Sequence, residues 1–308
     1  MIHMKHFLRI WFDAARPNTL PLALVSILTG SVLAYSSGQF SILISVLALT
    51  TATLLQIVSN LANDYGDAIK GTDNHARLGP VRAIQSGLVS QSHVRWAILL
   101  SIMLTLASGL TLVLYALDSL HNILVFIGLG ILSIIAAVAY TVGQKPYGYL
   151  GLGDVSVFVF FGLLGVAGTY FLHTGVVALL LVLPSIGCGL MAVAVLNINN
   201  MRDIENDEQC GKRTVAVRLG QKMAKQYHAI LLAVALVAFI LYLLLQPVSF
   251  WVSLPFFVSI IMVYRHGKAV WQTERPAQIA PMMSVIVKCS LITNLLFAGV
   301  VIAQILVS

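Results

Sequence analysis

Apolar residues run through this chain in long continuous blocks, separated by short polar connections that carry nearly all the charge. Blocks of about 17 to 25 residues match the helix length that crosses a bilayer's hydrocarbon core. About nine spans are predicted, the first and eighth short for that length: Leu20–Tyr35, Ile42–Leu61, Val94–Ala116, Ile123–Tyr140, Val155–Leu172, Val176–Leu196, Ala229–Leu245, Trp251–Val263 and Cys289–Val307. The blocks are continuous rather than alternating, which argues against the strands of a membrane barrel. The pattern predicts an all-α polytopic membrane protein, a single integral-membrane domain over residues 1–308. Ahead of the first span, Phe7, Ile10, Trp11 and Ala14 share one face, opposite Lys5, Arg9 and Asp13. Residues 1–18 therefore read as a short helix lying in the membrane interface. No small-residue cleavage site follows a short apolar core, so the segment does not read as a signal peptide.

Composition strengthens this reading. Of the 308 residues 59% are hydrophobic and 9% charged, and the mean hydropathy is +0.93. A soluble domain of this size cannot cover its surface with so little charge. The net charge of +7 does not point to nucleic acid, because it follows membrane topology. With nine spans, all 18 Lys and Arg fall on one side, in the N-terminal segment, in connections or, for Arg95, at the very start of the third span. All the acids except Asp118 share that side. The cation excess makes it cytoplasmic, with the N-terminus inside and the C-terminus outside. Cys188, Cys210 and Cys289 form no CxxC pair, and the eight His show no HExxH or paired spacing within a span. Zinc and haem readings have no support.

Two polar stretches carry the candidate chemistry. In Asn197–Gly220, four acids (Asp203, Glu205, Asp207, Glu208) are followed by Lys212, Arg213 and Arg218. On a helix continuing out of the sixth span, Asn199, Asp203 and Asp207 recur every four residues on one face. A carboxylate stripe at a membrane surface needs counter-charge, which divalent cations supply; a solvated charged loop is the plainer alternative. At the end of the second span, Asn60/Asp64 and Asn63/Asp67 form two adjacent polar ridges, with Asp73 beyond Gly71. The following segment carries Arg77 and Arg82 among Gly and Pro. Residues 63–93 and 199–228 thus read as two cytoplasmic Asp-rich loops. Asn-x₃-Asp occurs at Asn63/Asp67 and at Asn199/Asp203, four spans apart, as in a duplicated four-helix unit with a ninth span added. Two matched acidic ends facing one another suit a two-metal site.

A third stretch, Thr141–Asp154, joins spans four and five on the same side. Tyr140, Tyr147 and Tyr149 are either interfacial aromatics or walls of an aromatic-substrate pocket. Lys145 is either a topology charge or a diphosphate ligand. Arg16, before the first span, is a topology anchor or a phosphate contact.

These segments resemble the UbiA superfamily of intramembrane aromatic prenyltransferases over almost the whole chain. The family's first motif, Asn-Asp-x-x-Asp-x-x-x-Asp, is met at Asn63, Asp64 and Asp67; Gly71 stands at its last position, and an acid follows at Asp73. The second motif, Asp-x-x-x-Asp, is met at Asp203 and Asp207. The resemblance implies a bundle of two four-helix repeats plus one helix, in a bacterial inner membrane. It implies Mg²⁺ held by Asn63, Asp64, Asp67, Asp73, Asn199, Asp203 and Asp207, with Asp67, Asp203 and Asp207 central to catalysis. Lys212, Arg213, Arg218, Arg77, Arg82, Lys145 and Arg16 would grip the diphosphate of a polyprenyl diphosphate. Tyr140, Tyr147, Tyr149 and Asp154 would meet the acceptor.

Within the superfamily, RPNTLP, NLANDYGDAIKGTD, TVGQKPYGYLGLGD and NINNMRDIENDEQCGKRTVAVRLG resemble the branch acting on 1,4-dihydroxy-2-naphthoate. That branch makes a demethylmenaquinone with loss of diphosphate and carbon dioxide. Another aromatic acceptor such as 4-hydroxybenzoate is the alternative within the superfamily. A repeat-built transporter is the alternative outside it, disfavoured because the spans carry no acid or base at mid-depth and the acids cluster at one face.

Overall fold

The computed structural model describes residues 10–17 and 19–307. Nine long helices follow one another among the described residues: α1 Leu20–Ser36, α2 Ile42–Ile69, α3 Gln91–Ala116, α4 Leu120–Ala139, α5 Gly153–Thr174, α6 Leu179–Arg202, α7 Val215–Leu245, α8 Phe250–Trp271 and α9 Met282–Val307. Eight are long and apolar enough to cross a membrane; α1, at 17 residues, is the short member. The chain is an all-helical polytopic membrane protein, as its hydropathy pattern predicts.

Helix starts follow local capping chemistry. Ser41, Ser90 and Thr214 each accept a backbone N–H from three residues on, ahead of α2, α3 and α7. These contacts satisfy amides that a helix's first turn leaves without partners. The helices overrun the predicted spans at the charged end. Residues 63–69, expected in a loop, are the last turns of α2. Likewise α7 begins at Val215, α9 at Met282, and Lys288 lies within a helix. Hydropathy marks where the hydrocarbon ends, whereas backbone hydrogen bonding continues past it. The second expected loop, 199–228, resolves into the end of α6, a six-residue helix Ile204–Gln209, and the start of α7. Within α7 the helical path breaks at Gly220, whose φ of 71° is left-handed.

Helix α6 is the buried centre, with 61% of its apolar window covered, against 17% for α4. It packs against α5, α7 and α9, and the main core joins Met191, Ala194, Phe239 and Phe297. Gly187 faces the Phe239 ring, and Gly189 the backbone of Gly162 in α5. These glycines serve close helix packing. Helix α5 widens over Phe158–Gly168 into a π-helical stretch that apolar periodicity does not reveal. Residues 10–14 are helical, and Ile10, Trp11 and Ala14 pack with Leu61, Ala62 and Val94. Phe7, Lys5 and Arg9 lie outside the described residues.

Candidate active site

The acid-bearing ends of α2 and α6 open into one cavity. Asn63 and Asp67 line it from α2, Asn199 from α6, and Asp203 and Asp207 from just beyond α6. Further in, the walls turn apolar, with Leu22 and Ile27 of α1, Leu55 of α2, and Phe160 and Phe161 of α5. Helices α4 and α9 complete the lining through Ala137 and Met283. The cavity is thus polar at one end and hydrocarbon-like within the bundle. The second acid stripe does not ride a continuous helix. Asp203 leaves helical geometry (φ −101°, ψ 15°), and Asp207 N–H reaches back to its carbonyl at 2.8 Å. That break still leaves Asn199, Asp203 and Asp207 on the same wall.

Positioning of α2 depends on Gly66. A Cβ there would stand 2.6 Å from Thr141 Oγ1 and 2.7 Å from the Thr141 backbone carbon. Thr141 Oγ1 donates to the Ala62 carbonyl at 2.9 Å, fixing the end of α4 against α2 one turn before Asp67.

Cations cross-link the two motifs. Lys212 Nζ lies 3.5 Å from Asp67 and 4.0 Å from Asp207, so one ammonium serves an acid from each motif. Arg77 does the same, 3.3 Å from Asp73 and 3.7 Å from Asp203. Arg202 Nε donates to Asp203 at 3.0 Å, while its Nη2 donates to Asn199 at 2.9 Å. Asn206 Nδ2 closes the frame by donating to the Thr72 carbonyl at 2.9 Å. The Tyr149 hydroxyl donates to Asp67 at 2.8 Å and lies 2.6 Å from Thr72 Oγ1. Since the phenol hydrogen goes to Asp67, Thr72 is the donor in the second bond.

Burial governs the electrostatics. Desolvation pushes Asp207 up to about 7 against the pull of Lys212, and Asp73 up to about 6 against Arg77. Neither Asp73 oxygen has a hydrogen-bond partner. Asp64 is engaged by Arg16 and, at 3.5 Å, by Arg82. Burial first, then neighbouring Arg16, pulls Arg82 down to about 9. Arg16 adopts a left-handed φ of 54°, uncommon for a side-chain-bearing residue, and its guanidinium is anchored at Asp64.

The donor set suits a hard divalent cation. Every candidate ligand on the cavity wall offers oxygen: Asp67, Asp203, Asp207, Asn63 and Asn199. Among the described residues no three His, Cys, Asp or Glu side chains converge to hold a metal by themselves. The fit to Mg²⁺ rests on those oxygen donors, since that ion takes one or two carboxylates and completes its shell with water and phosphate oxygens.

Residues 23–299 match the UbiA prenyltransferase family. The chain belongs to that family. It is 47% identical to the 1,4-dihydroxy-2-naphthoate octaprenyltransferase of Haemophilus influenzae, over 97% of this chain and 96% of that one. It is 46% identical to the Escherichia coli enzyme of the same name, over 96% of both chains. Its fold is similar to that of a UbiA homologue from Archaeoglobus fulgidus solved with DMAPP and Mg²⁺. The TM-score is 0.67 at 16% identity, with 97% of this chain and all of that chain covered.

Against the UbiA motifs, the structure gathers Asn63, Asp67, Asn199, Asp203, Asp207, Lys212, Arg77, Arg82, Arg16, Tyr140 and Tyr147 at one cavity. Several expected residues stand elsewhere. Asp64 is absent from the lining, its carboxylate taken by two guanidiniums. Asp73 lies behind Arg77. Arg213 and Arg218 are exposed, and Arg218 braces the connection before α5 by donating to the Leu150 and Arg213 carbonyls at 2.7 and 3.3 Å. Lys145 is exposed outside the cavity. Asp154 instead accepts from Tyr227 at 2.9 Å. Sequence reasoning missed Gln56, Ser59 and Asn200 on the cavity wall and treated Arg202 only as a topology charge. The readable signal was Gln56 and Asn60 four apart in an apolar span; Gln56 donates to Asn60 at 3.1 Å.

Proposed function

We propose that this chain transfers a polyprenyl group from polyprenyl diphosphate to 1,4-dihydroxy-2-naphthoate in the bacterial inner membrane, from the cytoplasmic side. The observation that carries this reading is the convergence of both acid motifs and four basic residues on a cavity with apolar inner walls. Full-length identity to relatives named for that reaction supports the choice of acceptor.

Asp67, Asp203 and Asp207, with Asn63 and Asn199, would hold Mg²⁺. Bound there, it neutralises charge developing on the departing diphosphate. Arg77, Arg82 and Lys212 supply fixed cations beside the same oxygens, and Arg16, ahead of α1, adds a fourth at the same end of the cavity. As the allylic C–O bond breaks, the apolar walls keep water from the developing carbocation. The naphthoate carbon bearing the carboxylate forms the new C–C bond. The bond to the carboxylate then breaks, carbon dioxide leaves, and its electron pair restores the aromatic ring. No ring proton need be removed, so the acids are free to serve the donor rather than act as a base. The product is the reduced form of a demethylmenaquinone. Tyr140 and Tyr147, flanking the cavity beside Ser156, are the acceptor contacts that the geometry favours.

The test supplies purified protein and Mg²⁺ with a polyprenyl diphosphate and either 1,4-dihydroxy-2-naphthoate or 4-hydroxybenzoate. Prenylated, decarboxylated naphthoquinol is the expected product by mass. Preferential prenylation of 4-hydroxybenzoate would overturn the assignment.

A further inference from the structure

Tyr149 stands between the acid-lined cavity and a second, shallower pocket of about 370 Å³. Its hydroxyl reaches Asp67 and Thr72 on the cavity wall, while the residue itself lines the pocket. Three connections at the acid-bearing end of the bundle build this pocket. Lys70 comes from the end of α2, and Gln144 and Lys145 from the α4–α5 connection. Cys210 and Gly211 follow the six-residue helix.

The pocket differs from the cavity in its charge balance. In the cavity each basic residue has a carboxylate within ion-pair reach: Arg16 and Arg82 at Asp64, Arg77 at Asp73 and Asp203, Lys212 at Asp67 and Asp207. Lys70 and Lys145 have no such partner among the described residues, and no acid lines the pocket. The Lys70 ammonium instead lies 5.4 Å from the centre of the Tyr149 ring. Lys212, from the cavity side, lies 5.3 Å from the same ring. Two ammonium groups without counter-charge on a concave wall, beside a carboxamide, raise the local concentration of anions and favour multivalent ones.

We propose that this pocket binds a phosphate oxyanion. Inorganic diphosphate and the headgroup of an anionic phospholipid share that chemistry. With diphosphate, the pocket is a station for the leaving group of the reaction, one residue removed from the acids that released it. That role rests on the proposed function; binding itself does not.

Cys210 supplies the reporter. It is half-buried on the pocket wall, whereas Cys188 and Cys289 are buried, so a maleimide labels Cys210 first in the folded full-length chain. In phosphatidylcholine nanodiscs without Mg²⁺, millimolar inorganic diphosphate is expected to slow this labelling several-fold at constant ionic strength. Slowing in phosphatidylglycerol-containing discs without diphosphate would identify the headgroup as the source. Combining Lys70→Ala with Lys145→Ala is expected to abolish protection by either anion. Labelling unaffected by both anions overturns the proposal. Protection that survives in the double variant also overturns it and places the anion in the main cavity. Because labelling needs no turnover, a separate reaction of the unlabelled protein with Mg²⁺, polyprenyl diphosphate and the naphthoate, read by product mass, reports failure of the prenyl-transfer assignment independently.

Discussion

Tyr149 donates a 2.8 Å hydrogen bond to Asp67, which makes its phenol part of the acid cluster rather than a flat wall for the acceptor. Burial pushes the phenol up from its ordinary value, so it stays a donor at neutral pH. A carboxylate held in this way keeps one oxygen committed and leaves the other to Lys212 or to a cation.

Tyr149→Phe removes that donor while keeping the ring. A hydrogen bond to a charged group is worth about 1.5–3 kcal/mol. Turnover is therefore expected to fall roughly tenfold to a hundredfold by that arithmetic, with more Mg²⁺ needed for half-maximal rate. A Mg²⁺ titration of steady-state turnover checks this. An unchanged Mg²⁺ requirement with a raised KM for the naphthoate alone would return Tyr149 to the acceptor wall.

Arg77 and Arg218 should separate cleanly. Arg77 bridges Asp73 and Asp203 at the cavity, so Arg77→Ala is expected to lower kcat/KM for polyprenyl diphosphate by about a hundredfold or more, the scale of one lost electrostatic contact in a transition state. Arg218 braces backbone carbonyls away from the cavity. Arg218→Ala is expected to lower thermal stability slightly and leave kcat/KM within a few-fold. Matching kinetic losses in the two variants would show that Arg218 reaches the diphosphate.

The raised carboxyls predict an opposed pH response in stability and metal binding. With Asp207 near 7 and Asp73 near 6, the folded chain holds more protons than the unfolded chain above the ordinary carboxylate value. Stability of the metal-free protein therefore falls as pH rises through that window, and the full cost is reached above about 7. Mg²⁺ binding requires the carboxylates and strengthens over the same range. Thermal unfolding in detergent at about pH 5.5 and about pH 8, with and without Mg²⁺, is the measurement. Mg²⁺ is expected to raise Tm chiefly at the higher pH, and Asp207→Asn to flatten both trends.

Gly66→Ala tests the seam between α2 and α4. The added methyl would meet Thr141 at 2.6–2.7 Å, including its backbone. Overpacking of this kind costs about 1–3 kcal/mol. A lower Tm is expected, together with reduced turnover, because the shift moves the turn that carries Asn63 and Asp67. Full stability in this variant would show that the seam relaxes freely.

Much of the fold was legible because membrane insertion imposes a one-dimensional rule. An unpaired backbone in hydrocarbon is costly, so each long apolar block must be a helix, and order along the chain gives order of crossing. The acid motifs were legible for a related reason: carboxylates cluster at a membrane surface only where something offsets their repulsion. Asn63, Asp67, Asn199, Asp203 and Asp207 therefore announced themselves as types at fixed spacing.

Which charge meets which was settled elsewhere. Spacing treats Asp64 and Asp67 alike, yet Asp64 turns to Arg16 and Arg82 while Asp67 lines the cavity. Arg213 and Arg218 look like diphosphate ligands from their position after the acids, yet both are exposed, Arg213 between the buried Lys212 and Thr214 and Arg218 in the first turn of α7. Asp154 bonds Tyr227, a partner 73 residues away that no local pattern identifies. The sequence by itself determined the helices and the motif pair, since those follow from apolar length and spacing. The tertiary structure decided the pairing of the buried charges, because each pairing depends on distances between helices that are remote along the chain.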